Sequence, residues 1–308
     1  MKHIMYFSKV NLKSDEVYSL AIDPAARLDM TNAVLSSLRN NYIFQEEKSY
    51  IDKEGKENTE IVDYQLSVRN KEEYSIEGFL YRKSFLFVKR RREGTDEIQS
   101  IPVDNTEDIH FYYDVYNEFV AFIPRRRFGF QMFNAAFSKL LNDSMKNEKN
   151  NYRFYVEPYN EGVTIEEIKR IVCEAKDIVE LIIAYHPVNP DEAIIKKARE
   201  NLYKEKLLEA NATERSVIYK AIGDSCIEGN SEVIKNDIEH LEEMNPGFDM
   251  RELTKRGYLS VRLKKKTGEI SSTAETKPYK KVYDSYLEFA DVAKEGILGI
   301  LRRNIADD

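Results

Sequence analysis

The sequence predicts an α+β fold: a strand-rich antiparallel N-terminal part, then a β-α-β unit, then a helix-rich C-terminal part. Three observations carry this. Apolar residues recur at period two through the first 125 residues, as half-buried strands require. After Arg127 the spacing lengthens to that of helices. Between two strand-like runs, Thr164-Ile165-Glu166-Glu167 has the capping-box form, in which hydroxyl and carboxylate each satisfy an orphan N–H at a helix start.

Taken in order, Ile4 to Val10 reads as a strand, and Asp23-Pro24 opens a short helix ending before Leu38. Asn41 to Asp52 and the run holding Val62, Tyr64, Leu66 and Val68 on one side form an antiparallel pair around the charged tip Lys53 to Asn58. Phe85-Leu86-Phe87-Val88 is apolar on both faces, so it reads as a central strand covered on two sides. His110 to Tyr116 and Glu118 to Ile123 make another hairpin. Phe133, Ala136, Phe137, Leu140 and Leu141 then form one helical stripe. Asn151 to Pro158, the capped helix with Ile165, Ile168, Ile171, Val172 and Ala175, and Ile178 to Tyr185 complete a β-α-β unit with the usual right-handed crossover. Asn189-Pro190-Asp191 starts a long charged helix to about Asn211, and the chain reads as helical up to Pro246, with Ser231 as a cap and Ile234, Ile238 and Leu241 as its stripe. Gly257 ends a short helix. Tyr258 to Lys266, the turn Thr267-Gly268 and Glu269 to Thr273 form a late hairpin, and a final helix carries Val282, Tyr286, Phe289, Ala290, Ala293, Ile297, Ile300 and Leu301. No repeat or low-complexity linker divides the chain. Residues 1–127 read as a strand-rich lobe and 128–308 as a mixed lobe, tightly docked or merged in one compact body.

The chain has 308 residues, 47 Lys plus Arg against 54 Asp plus Glu, 20 Tyr and 15 Phe, which is too aromatic for disorder and too polar for a membrane protein. It has no run near the ~18 apolar residues of a membrane span and no signal-peptide pattern at its start, so a cytoplasmic address is expected. Cys173 and Cys226 alone make neither a disulfide framework nor a four-thiolate zinc site.

Phosphate-cradling glycine loops are missing: there is no G-x-x-x-x-G-K and no G-x-G-x-x-G, which removes the P-loop and dinucleotide-binding classes. His3, His110, His186 and His240 stand at no metal-ligand spacing, so neither a metal site nor a cofactor is expected. Cys173 reads as a core thiol rather than as a partner of His186. A metal-dependent nuclease would need a strand-borne Glu-x-Lys beside a further carboxylate, but Glu54-Gly55-Lys56 lies on a hairpin tip, and Glu167-Ile168-Lys169 and Glu174-Ala175-Lys176 lie on a helix.

Charge placement is the informative feature. Residues 81 to 92 hold Arg82, Lys83, Lys89, Arg90, Arg91 and Arg92 and no acid, and Arg125-Arg126-Arg127 follows another strand end. Brought to one edge, Lys89 to Arg92 and Arg125 to Arg127 would attract phosphates whatever the net charge, and Phe128 and Phe130 would stack on unpaired bases. The competing reading makes the arginines a rim paired with the protein's own carboxylates and both phenylalanines core. Arg126 to Phe133 echoes an RNA-recognition fingerprint, but Arg127 and Gln131 break it and its strand–helix context is missing, so the echo is read as coincidence. The loop Tyr185 to Asp191 and the basic tip Lys264-Lys265-Lys266 read as structural turns.

With the β-α-β unit, its exit Pro187-Val188-Asn189-Pro190-Asp191 and the hairpin from Gly257-Tyr258 through Ser271-Ser272-Thr273, residues 105 to 285 resemble an uncharacterised bacterial family encoded near anti-phage defence genes. The resemblance implies a cytoplasmic bacterial protein acting as an accessory or effector subunit of a defence system; it carries over no catalytic residue. The function expected is therefore non-enzymatic binding of single-stranded nucleic acid, or of a protein partner or second copy, through the basic strand ends. A metal-dependent nuclease and a purely structural interaction subunit are the alternatives.

Overall fold

In a computed structural model of the chain, the structure describes residues 2–14, 23–51, 57–91, 98–146, 152–186, 212, 214–244 and 249–306. Two antiparallel sheets organise them. The larger runs through β1 (Lys2–Leu12), β2 (Ile43–Ile51), β3 (Glu57–Lys71), β4 (Ser75–Arg91), β5 (Ile98–Asp114), β6 (Phe119–Phe122), β7 (Phe154–Pro158) and β12 (Lys280–Asp284), in the order β12-β1-β6-β5-β4-β3-β2, with β7 also on β1. The smaller joins β8 (Ile178–Tyr185), β9 (Arg215–Lys220), β10 (Leu259–Lys265) and β11 (Ile270–Ser272) in the order β11-β10-β8-β9. Helices α1 (Pro24–Ser37), α2 (Phe130–Ser144), α3 (Ile165–Glu174), α4 (Glu232–Met244), α5 (Met250–Lys255) and α6 (Phe289–Ala306) pack around them. The fold is α+β.

Local chemistry sets many boundaries. Asp23 accepts a hydrogen bond from the Ala25 N–H at 2.9 Å and so starts α1. At α3 the capping box is complete: Glu167 N–H donates to the Thr164 hydroxyl at 3.2 Å, and Thr164 N–H donates to the Glu167 carboxylate at 2.9 Å. The α2 stripe Phe133, Ala136, Phe137, Leu140 and Leu141 is buried in full, in the core that continues across both sheets through Leu181, Ile183, Val261 and Leu263. A second, smaller cluster lies beneath α6.

Several expectations are corrected. The strand–helix–strand order from β7 to β8 is present, but β7 pairs with β1 in the large sheet and β8 with β9 and β10 in the small one. The segment therefore links two sheets, and no parallel crossover exists. Arg215–Lys220, expected as helix, is a strand on the edge of the small sheet. Val282 and Tyr286 do not belong to the last helix: Val282 sits in β12, paired with Ile4, and α6 begins at Phe289. Phe85 and Val88 are exposed rather than covered on two sides, because β4 leaves β3 after Lys83. The charged tip at 53–58 falls mostly, and the helix expected over 189–211 wholly, outside the described residues. No described helix is long and apolar enough to cross a membrane.

β1 holds the large sheet together. One of its edges takes β6; the other takes β12 along Lys2–Tyr6 and then β7 along Ser8–Leu12. Beside that change of partner, fully buried Lys9 pairs with Glu118 at 2.9 Å, donates to the Asn117 carbonyl at 3.0 Å and lies over the Phe119 ring. Truncating one member strands the other charge, at about 3–5 kcal/mol. Chemical denaturation of Glu118→Ala should show a loss of that order, and Lys9→Met combined with Glu118→Leu should recover most of it. Farther along the outer face, His110 is sandwiched between Phe79 (4.4 Å) and Phe289 of α6 (3.8 Å), with Nε2 2.8 Å from Glu77. Burial holds this imidazole below the ordinary value of 6.5, outweighing the Glu77 carboxylate that favours the proton. The folded state prefers neutral His110, so its contribution is complete above about pH 6.5 and is lost as the pH falls below it. Thermal melts should show that His110→Gln flattens this part of the acid limb relative to wild type.

Candidate nucleic-acid interface

Beyond the point where β3 stops pairing, Ser84–Arg91 and Ile98–Asn105 continue as a two-stranded ribbon. A strand's rise makes this arm about 25 Å long. Two strands alone are marginal in water, and this pair exposes apolar side chains on both faces. Phe85 (53%) and Ile98 (70%) stand on one face, Val88 and Val103 on the other. Side chains alternate across a strand, so Tyr81, Lys83, Phe85, Lys89 and Arg91 share the outer face, with Arg90 on the opposite one. Tyr81 is half-buried, and the other described side chains in that row are exposed. Asp104 lies across from Phe85 and tempers the charge of the row.

The expected patch does not form as one surface. Lys89, Arg90 and Arg91 are exposed at the far end of the arm, opposite Ser100, Gln99 and Ile98; Arg92 lies outside the described residues. Arg125 is at the base of the arm, where Nε donates to the Asp108 carbonyl at 3.2 Å and the guanidinium pairs with the Asp108 carboxylate at 3.5 Å. Register places about 26 Å of β5 between Ser100 and Asp108. The two clusters therefore occupy opposite ends of one ribbon. Arg126 and Arg127 are exposed. The Arg127 carbonyl accepts from Arg82, whose guanidinium also faces Glu107 at 3.8 Å.

The two aromatic assignments are corrected. Phe128 has no exposure and packs against Tyr64 and Phe133, so it cannot stack on a base. Phe130 is half-buried, with one face stacked on Tyr6 at 5.7 Å and 4°. Gly129 is the N-cap of α2 and Phe130 its first residue, so the fingerprint-like stretch is a turn into a helix. Among the described side chains, Phe85 on the arm and Tyr81 just before it are the aromatic groups on this face. Their signal was the odd-numbered alternation from Tyr81 to Arg91, hidden by reading Phe85 to Val88 as buried on both faces.

Other motifs have local roles. Cys173 Sγ lies 3.7 Å from the Gly229 carbonyl, while His186, beyond the end of β8, packs on Tyr155. Lys265 pairs with Glu269 at 3.0 Å, and Lys266 reaches the Asp224 carbonyl. Among the described residues, no three His, Cys, Asp or Glu side chains gather into a group that could hold a metal ion.

No curated protein matches the chain. Residues 86–245, which begin inside the arm and take in the Arg125 to Arg127 turn, match DUF4747, a domain of unknown function, and the chain belongs to that family.

Proposed function

We propose that the chain binds single-stranded nucleic acid along the outer face of the β4–β5 arm, as a non-enzymatic binding protein. One observation carries this reading: the alternation of Tyr81, Lys83, Phe85, Lys89 and Arg91 along one face of β4, from its last pairs with β3 out onto the ribbon. Aromatic side chains offer stacking surfaces that any base fits, and interleaved cations follow the phosphates. The exposed cations Arg126 and Arg127 extend the track at the base. A ribbon that shows apolar groups on both faces gains by being covered, which supports a binding role for the arm. Given the resemblance to a family encoded near anti-phage defence genes, the setting proposed is an accessory or effector subunit of such a system in the bacterial cytoplasm.

Fluorescence anisotropy with labelled single-stranded RNA and DNA tests this. Affinity should fall steeply with salt, log K declining by about 0.7 per decade for each phosphate neutralised on a single strand. Lys83→Glu with Lys89→Glu should weaken binding at least tenfold and make that slope shallower. Phe85→Ala should cost about 1–3 kcal/mol of affinity, the worth of one base stacked on an aromatic ring, with little change in melting temperature because the ring is half in solvent. No binding at low salt, or variants that bind as wild type does, would reject the reading.

A further inference from the structure

The large sheet ends at β12, whose outer edge takes no strand among the described residues. Successive residues of an antiparallel strand turn their N–H and C=O groups to opposite edges. In β1, Val10 N–H donates to Glu118 on the β6 side, while the Phe7 carbonyl accepts from Tyr159 on the other, so Met5 and His3 also face that other side. Their register partners on β12 are Lys281 and Tyr283. The backbone groups of Lys280, Val282 and Asp284 therefore point outward, and of these the Asp284 carbonyl accepts from Leu287 N–H at 3.0 Å in the next turn. The side chains of the same three residues share a sheet face with their β1 neighbours Tyr6, Ile4 and Lys2. Ile4 is 43% exposed and Val282 54%, so α6, which packs on the Tyr283 side, leaves this apolar pair open. Lys280 and Asp284 make no ion pair with a described residue, whereas Lys281 is held by Glu295 of α6 at 2.7 Å.

We propose that β12 is a dimer edge: two copies of the chain pair through it, antiparallel, around a two-fold axis at Val282, and join their large sheets into one. The strand reads Lys280-Lys281-Val282-Tyr283-Asp284, and that symmetry sets Val282 against the partner's Val282 and Lys280 against the partner's Asp284, twice over. Each Asp284 then lies between two lysines, Lys2 of its own β1 and the partner's Lys280. The apolar pair becomes a continuous row, from Ile4 and Val282 to the partner's Val282 and the partner's Ile4. Because Val282 directs both backbone groups outward, the two copies exchange both hydrogen bonds at the axis. A slip by two residues sets a charged side chain against Val282 and loses both ion pairs. Lysines commonly blunt an edge strand by repelling a second one; here Lys280 meets a carboxylate instead, and Lys281 is already held by Glu295. The edge is separate from the β4–β5 arm, so the two readings stand or fall independently.

Five residues per strand make a small interface, so a dissociation constant on the order of micromolar is expected. Sedimentation velocity of the full chain over about 1–200 µM should show a concentration-dependent dimer. Asp284→Lys alone and Lys280→Asp alone each bring like charges together twice and should weaken the dimer about tenfold. Mixed in equal amounts, these two variants should recover it, since each supplies the charge the other lacks. The double variant Lys280→Asp with Asp284→Lys should recover it too. As a second measurement, Val282→Cys in a Cys226→Ser background, oxidised with diamide, should give a covalent dimer, because the paired Cα atoms lie about 5.5 Å apart. Cys226→Ser alone is the control. The proposal is overturned by a wild type that stays monomeric throughout, as an edge kept for another protein's strand would. Charge reversal without effect, a mixture that does not recover, or cross-linking no greater than the control also overturns it. Should a charge variant fail to fold, the cross-link decides.

Discussion

Lys9 and Glu118 form an ion pair at the place where the chain's two halves become one sheet. β1 is bordered by β6 on one edge and by β12 and then β7 on the other, so strands from residues 119–122, 154–158 and 280–284 all depend on its position. A buried pair of this kind adds little net stability, because desolvation consumes most of the attraction. Its effect is on register. A slip of one residue would turn Lys9 to the opposite face of β1, where Val10 and Leu12 join the main core, and would leave an uncompensated charge in apolar surroundings. The backbone reinforces this: Val10 N–H donates to the Glu118 carbonyl at 2.7 Å, and Glu118 holds a left-handed φ of 60° to make the turn. Fixing β1 fixes where β7 and β12 dock.

What was legible in the sequence is what short-range chemistry decides. Val62, Tyr64 and Leu66 alternate with polar neighbours, and all three point into the core. Thr164 and Glu167 cap a helix using only each other and the backbone. The unread features depend on distant partners. β12 is a short strand with two lysines, and nothing within five residues says that Lys280–Asp284 will add to Lys2–Tyr6. The separation of β7 and β8 into two sheets was hidden for the same reason, since each strand reads identically whichever sheet receives it. Arg215–Lys220 is an edge strand with mostly exposed side chains, so it lacks the clean apolar alternation that identifies a half-buried strand.

The candidate interface divides along the same line. Basic runs are visible in any sequence, but whether two runs converge is a question of register, and here β5 holds them at either end of one ribbon. Phe128 and Phe130 looked available because they follow arginines. The helix that starts at Phe130 buries the first completely and lays one face of the second on Tyr6. Phe85 was misjudged in the opposite sense, because an apolar run is the mark both of a strand covered on two faces and of a ribbon that leaves its apolar side chains exposed.

Distance also decides how such a surface can work on a chain with net charge −7. At physiological ionic strength charges are screened over about 8 Å, well short of the roughly 26 Å between the tip and base of the arm. The two cationic ends therefore do not sum into one attractive field, nor does the excess of acid elsewhere cancel either of them. Each would attract only an anion within its own screening length. A ligand that engages both has to lie along the ribbon, passing Tyr81, Lys83 and Phe85 on the way. An extended strand with unstacked bases meets that requirement, whereas a compact anion can satisfy only one end.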